Sequence, residues 1–297
     1  MGARPSPLPT GACDCHTHVF LDSADFPFAP GRRYTPPPAP IESLLEWQAR
    51  LGLQRVVIVA ASVYGEDNAS VLHALRQLGP QQARGVATLG KSLDERALDE
   101  LHAAGVRGVR VNLEIDEERD IGRATDDLLR VADRIAPRGW HVQVYANLRL
   151  LAECAHTLRT IATPIVLDHF AGWRLGVDPQ DDATAGHWGP VLDLVSAGKA
   201  WVKLSAAYRV APDGASDPTV AAIARRLIEA NPARMLWGSD WPHPDPSPKA
   251  VRDGIHQPFR VDLSNVLEHL GQWCDNDDAL RRRVLVDNPA ALYGFTD

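Results

Sequence analysis

The chain repeats one unit, a short β-branched run followed by a stretch with helical spacing of its apolar residues. Such runs stand at Gln54–Ala61, Ala83–Leu89, Val106–Leu113, His141–Ala146, Pro164–Phe170, Ala200–Ser205 and Arg234–Asp240; with the apolar segment Ala12–Phe20 ahead of them the count is eight. Helical stretches lie between them at Ile41–Leu51, Asn68–Leu78, Leu93–Ala103, Ala124–Ala136, Leu148–Ile161 and Val220–Ala230. Gly52, Gly79 and Gly105 follow helices where a left-handed cap is expected, and Asp94-Glu95 loads a first turn with acid. Alternating strands and helices mean parallel strands joined by right-handed crossovers. Eight such units in 297 residues match a closed (β/α)8 barrel of the TIM type, for which about 250 residues is typical. An open doubly wound sheet is the alternative, but it calls for a Gly-rich phosphate loop after the first strand, where this chain has His16-Thr-His-Val-Phe20. The sequence therefore predicts one α/β barrel domain over residues 12–297, preceded by a flexible, Pro-rich lead-in over residues 1–11.

No apolar run approaches the roughly 20 residues that span a bilayer, and the N-terminus lacks the apolar core of a signal peptide. A soluble, cytoplasmic protein is expected. The formal net charge of −7 argues against nucleic acid or an anionic membrane as partner, since both reward a basic face. A local arginine cluster can still hold an anionic small molecule. Cys13, Cys15, Cys154 and Cys274 form no CxxC pair and are too sparse for a disulfide framework, so reduced thiols are expected.

In a barrel of this kind the chemistry sits at the C-terminal ends of the strands. His16 and His18 end the first strand, two residues apart and so on one face of it. Tyr145 ends the fifth, His169 the sixth and Asp240 the eighth. Closure sets the eighth strand beside the first, which makes the carboxylate and the histidine pair neighbours. An isolated strand histidine such as His141 reads instead as a core residue.

Four segments, Asp14-Cys-His-Thr-His18, Asp168-His169, Trp237-Gly-Ser-Asp-Trp-Pro-His243 and Asn288-Pro-Ala-Ala-Leu-Tyr-Gly294, together resemble the family-2 branch of the amidohydrolase superfamily over nearly the whole chain. Within that branch the chain is most similar to the lactonases of the 2-pyrone-4,6-dicarboxylate hydrolase type, on Phe26-Pro-Phe-Ala-Pro30, Arg33-Tyr-Thr-Pro36 and Ser62-Val-Tyr-Gly-Glu-Asp-Asn68. The resemblance implies hydrolysis of a lactone ester bond, in sugar-acid or aromatic catabolism, with Asp240 as the base toward water.

Opening a lactone requires activated water, a polarised carbonyl and a proton for the leaving oxygen. Asp240 suits the first task, and His16, His18 and His169 the second. Metal binding is the main fork. His16, His18 and Asp240, with His169 as a further candidate, would supply part of a zinc site, and a zinc-dependent decarboxylase or hydrolase is one alternative. Metal-dependent members of the superfamily keep a histidine or lysine at the end of strand five. Tyr145 stands there in this chain, and the resemblance to the lactonases implies chemistry without a metal or other cofactor, with zinc left open. A cofactor-free sugar-lactone isomerase is the other alternative.

Positive residues near the same strand ends point to an anionic lactone. Arg107 and Arg110 flank the fourth strand and Arg209 follows the seventh; guanidinium forks suit carboxylates. Tyr34, Thr35, Ser62, Tyr64, Tyr145 and His243 complete the expected substrate-binding set. The acidic continuation Glu114-Ile-Asp-Glu-Glu118 and the displaced Arg174 offer fewer clamps than the family's dicarboxylate site. A lactone with a single acid group is the expected ligand.

Overall fold

The computed structural model describes residues 7–90, 93–114, 120–176, 182–262 and 265–296. Eight strands form one sheet in chain order: β1 (Cys13–Thr17), β2 (Arg55–Val59), β3 (Ala83–Ala87), β4 (Val106–Asn112), β5 (His141–Tyr145), β6 (Ile165–Leu167), β7 (Ala200–Ser205) and β8 (Met235–Gly238). Every ladder from β1 to β8 is parallel. The ring closes between β8 and β1 through a parallel bridge of Thr17 with Trp241, with Asp240 N donating to His16 O (2.9 Å) and His18 N to Trp241 O (2.8 Å). This is the (β/α)8 barrel expected from the repeat.

Helices α1 (Ile41–Leu51), α2 (Ala69–Leu78), α3 (Glu95–Ala104) and α4 (Ile121–Ile135) follow β1 to β4 within a few residues of their expected bounds. The stretch after β5 is divided at Cys154 into α5 (Leu148–Glu153) and α6 (Ala155–Thr160). The Gly52 and Gly105 caps are left-handed, whereas Gly79 turns out with φ 76° and ψ 166°. The Val220–Ala230 stretch belongs to a helix at Pro218–Ala230, capped by Asp217.

Alternation divides the core in two. Cys13, Cys15, Val57, Val59, Val86, Val166, Trp201 and Leu236 face the barrel axis and pack with Tyr293 and Phe295 of the C-terminal segment. Val56, Ile58, Val109, Val142 and Val202 face outward, where they pack against Leu44, Leu75, Leu98 and Leu128 of the helices. Arg84 donates to Tyr293 O and Gly294 O, and Arg55 to Thr296 O, which pins the C-terminal segment under the bottom of the barrel.

Residues 1–6 of the lead-in lie outside the described residues. Gly11 N donates to Gln54 Oε1 (2.6 Å), and Ala12 N to Pro9 O (3.1 Å). All four cysteines are free and buried. No helix among the described residues is long and apolar enough to cross a membrane.

Candidate active site

Strand β1 carries an irregularity between Asp14 and Thr17, where three steps along β1 match two along β2. This bulge re-aims the chain. Cys13 and Cys15 fill the barrel interior, and His16, next in sequence, also reaches groups there; His18 then follows it toward the mouth. Asp14 turns to the other side and ties β1 to the end of β8. Its Oδ1 accepts from His16 N (3.2 Å) and Ser239 N (2.9 Å), and its Oδ2 from Ser239 Oγ (2.5 Å). Burial pushes the Asp14 carboxyl up to about 6, while the Ser239 bonds pull it back. Gly238 has no side chain because a Cβ there would stand 2.7 Å from His16 Cβ.

Three strand ends leave the sheet through left-handed backbone: His169 (φ 46°) after β6, Ala206 (φ 52°) after β7 and Asp240 (φ 61°) after β8. Each costs a non-glycine residue of order 1 kcal/mol, and such conformations cluster where a side chain must be aimed. Here they aim His169 and Asp240 toward the histidines of β1.

Asp240 is the hub. Its Oδ2 accepts from Tyr208 OH (2.5 Å) and Arg209 Nε (3.1 Å), while its Oδ1 lies 3.3 Å from His18 Nε2 and 3.6 Å from His16 Nε2. Burial alone would raise its pKa, but the influences led by the Arg209 guanidinium outweigh burial and hold it well below the usual carboxylate range. His18 Nδ1 donates to Val59 O (2.8 Å), because a carbonyl only accepts. Its Nε2 is thereby left facing Asp240 Oδ1. His169 Nδ1 lies 2.8 Å from Ser205 Oγ, and burial pushes its pKa down to about 3, which leaves it neutral.

Beneath the histidines lies a buried polar layer. Asp168 Oδ2 accepts from Arg110 Nε (3.1 Å) and Gln143 Nε2 (3.0 Å). Lys203 on β7 is fully buried; its Nζ donates to Gln143 Oε1 (2.7 Å) and lies 3.3 Å from His16 Nδ1 and 3.8 Å from Asp168 Oδ1. Burial raises the Asp168 pKa, but His16, Arg110 and Lys203 together hold it well below its usual value. Burial lowers Lys203 to about 8 against the pull of Asp168, and burial followed by the Lys203 charge lowers His16 well below its usual value.

Above this floor opens a cavity of about 760 Å³, whose lining includes His18, Tyr34, Ser62, Arg110, Tyr145, His169, Arg209 and Asp240. Tyr34 hydrogen-bonds to Ser62, and burial raises its pKa to about 12. The Arg110 guanidinium stacks over the Tyr145 ring at 4.8 Å, and Tyr145 meets His169 edge-on at 5.0 Å.

Four expected substrate-binding residues do not reach this cavity. Arg107 points to the opposite end of β4, where it donates to His102 O and Val106 O; three residues from Arg110 on a strand, it leaves on the other face. Tyr64 OH accepts from Leu21 N and so fastens a loop. Thr35 is occupied by Arg32 and His256. His243 packs between Trp47 (5.3 Å) and Tyr208 (5.7 Å), behind the site.

Conversely, Lys203, Gln143, Tyr208, Asn112 and Arg33 belong to the site or its floor without having been singled out. Tyr208 carried the one available signal, since it stands next to Arg209 at a strand end. Arg174 does line the cavity, but it pairs with Glu114 at 2.7 Å. The acidic run after Glu114 lies outside the described residues.

Among the described residues His16, His169 and Asp240 each offer a ligand atom, all within 4.8 Å of one another; of the set expected for zinc, the further candidate His169 stands in this cluster where His18 was expected.

The chain is 35% identical to a 2-pyrone-4,6-dicarboxylate hydrolase of Comamonas testosteroni over 296 residues, 96% of this chain and 91% of the relative. It is 32% identical to a 4-sulfomuconolactone hydrolase of Rhizobium radiobacter, over 98% of this chain and 94% of the relative. The crystal structure of an Agrobacterium tumefaciens protein, 25% identical, superimposes with a TM-score of 0.82 over 99% of both chains. With residues 13–295 matching the amidohydrolase family, from the bulged strand β1 to the Phe295 plug, the chain is a member of that family.

Proposed function

We propose that this protein hydrolyses a carboxylate-bearing lactone, with Asp240 activating water and the histidines polarising the carbonyl, and that it does so without a metal. One observation carries the reading: Asp240 is anchored through Oδ2 alone, so Oδ1 is left facing two imidazole nitrogens at the floor of an arginine-lined cavity. The names of the two relatives support the lactone class.

The steps balance as follows. Water gives a proton to Asp240 Oδ1 and its oxygen bonds to the lactone carbonyl carbon. The charge that grows on the carbonyl oxygen is met by His16 and His169. The ring C–O bond then breaks and the leaving oxygen takes the proton. A carboxyl held well below its usual pKa is a weak acceptor but a ready donor, so the proton Asp240 takes returns easily to that oxygen. His18, sharing the spot beside Oδ1, is placed to share this proton.

Charge argues against a divalent ion at the three converging ligand atoms. Asp14, Asp168 and Asp240 are the buried carboxylates around them, and Arg110, Lys203 and Arg209 already match them in number. A metal would bring further positive charge into a buried volume whose carboxylates are already paired, which is costly. Two histidines and a carboxylate thus converge as in a zinc site, but the charge around them disfavours the ion, and the proposed chemistry runs on the chain's own residues.

The cations also bear on the substrate. Of the four arginines that line the cavity, Arg110 and Arg209 have part of each fork committed to a carboxylate, Arg174 is neutralised by Glu114, and Arg33 stands at the lining as well. That supply suits one acid group on the ligand. Lactones of equal ring size with and without a carboxylate, assayed by proton release, should differ at least about tenfold in kcat/KM in favour of the acid. Equal turnover of neutral lactones would contradict the substrate class.

A further inference from the structure

We propose that Lys203 fixes the tautomer of His16, so that the ring turns an N–H rather than a lone pair into the site. The inference rests on the lactonase reading only for what that N–H does.

His16 Nδ1 has two neighbours at equal distance, Asp168 Oδ1 at 3.3 Å and Lys203 Nζ at 3.3 Å. They demand opposite things. A carboxylate accepts, so pairing with Asp168 would put the ring proton on Nδ1 and leave Nε2 as a lone pair. An amine that donates needs Nδ1 unprotonated, which puts the proton on Nε2. Direction separates the two: the Lys203 contact satisfies hydrogen-bond geometry, whereas Asp168 Oδ1, at the same distance, lies off the direction in which the ring would donate and meets it as an ion-pair contact.

The surroundings reinforce this choice. Lys203 is anchored by Gln143 Oε1, and Gln143 Nε2 in turn donates to Asp168 Oδ2 beside Arg110. The carboxylate is thereby anchored through Oδ2, with Lys203 Nζ 3.8 Å from its Oδ1. At the other end of the ring Nε2 is buried without a hydrogen-bond partner, 3.6 Å from Asp240 Oδ1. An orphaned donor at that place has a purpose, to meet the oxygen on which charge develops when water attacks.

The arrangement also separates two chemistries available to this constellation. A histidine that ligates a metal gives its other nitrogen's proton to a carboxylate or carbonyl, which orients the ligating lone pair. Asp168 is placed to be that carboxylate, and Lys203 pre-empts it. Lys203 is thus a positioning residue: it touches neither substrate nor reacting atoms in this account.

The test needs no substrate. In the full-length, histidine-15N-labelled protein, with His16 assigned by the signal lost in His16→Gln, the inference expects Nε2 protonated and Nδ1 bare but hydrogen-bonded. A protonated Nδ1 in the unsubstituted protein overturns it, whether or not any variant folds. In Lys203→Met the proton should move to Nδ1, and affinity for zinc alone should rise at least about tenfold, the scale on which such outer partners tune metal sites. With a turned-over lactone, kcat of Lys203→Met should fall on the order of 10²-fold with KM within about twofold, as for loss of one oxyanion donor. A fall in kcat with tautomer and zinc affinity both unchanged would mark Lys203 as merely structural and overturn the inference. Failure of the lactonase reading has a different signature, the expected tautomer in a protein that turns over no lactone.

Discussion

Asp240→Asn should lower kcat at least about 10³-fold, within the range assigned to a positioned general base, while product binding and folding persist. The substitution removes one charge and almost no volume. An Asn side-chain oxygen can still accept from Tyr208 and Arg209, and Arg209 opens partly to the cavity, so its charge keeps access to solvent. What is lost is the anionic Oδ1 beside His18 Nε2 and His16 Nε2, which becomes an amide donor unable to take a proton from water. Steady-state kinetics on the preferred lactone, with calorimetric product binding and a thermal melt, separates the two effects. Turnover within tenfold of the unsubstituted protein would remove Asp240 from the role.

Arg209→Met tests the electrostatics of the same carboxylate. Arg209 is the largest of the influences that lower the Asp240 pKa, and burial is the opposing one. Without the guanidinium the leading counterweight to burial is gone, and the carboxyl rises from well below its usual range. Because Asp240 works ionised, the acid limb of kcat should move to higher pH. The sign for stability follows from the same shift. A depressed folded pKa contributes stability that is complete above the unfolded value of about 3.9 and is lost as pH falls through the folded value. The variant forfeits that contribution at neutral pH. Leaving a buried carboxylate without its cation costs about 3–5 kcal/mol, to be read as a lower denaturant midpoint at pH 7. An unmoved acid limb would show that Arg209 does not govern Asp240.

Local pattern made the barrel legible. Seven β-branched runs and the His-containing segment fell on the eight strands, because strands buried on both faces read as continuous apolar runs. Their ends were less so: the run through Phe170 yields a strand ending at Leu167, since His169 to Ala171 turn into left-handed backbone that aims His169. The site residues that end strands, His16, His18, Tyr145, His169 and Asp240, were legible because closure follows from strand count alone.

Lys203 was not legible. In Ala200-Trp-Val-Lys-Leu-Ser205 a single lysine reads as an edge or rim residue, and the partners that let it be buried lie on β5, β6 and β1. Such compensation is non-local and leaves no spacing in sequence. Arg107 failed in the opposite way. Its charge matched an anionic ligand, but its place at the start of β4 directs it to backbone carbonyls at the bottom of the barrel. Among arginines on one strand, position along the strand discriminates better than residue type. Tyr64 and His243 show that a motif residue can serve a loop, one receiving Leu21 N and the other packing behind Tyr208.

In the proposed mechanism solvent water, activated by Asp240 and without a metal, opens the lactone. The most direct measurement is turnover of a carboxylate-bearing lactone in 18O-water with excess chelator, followed by mass analysis of the product. The account predicts one solvent oxygen in the new carboxylate at an undiminished rate. An unlabelled product, as in an isomerisation, or activity lost to the chelator and restored by zinc, would contradict it.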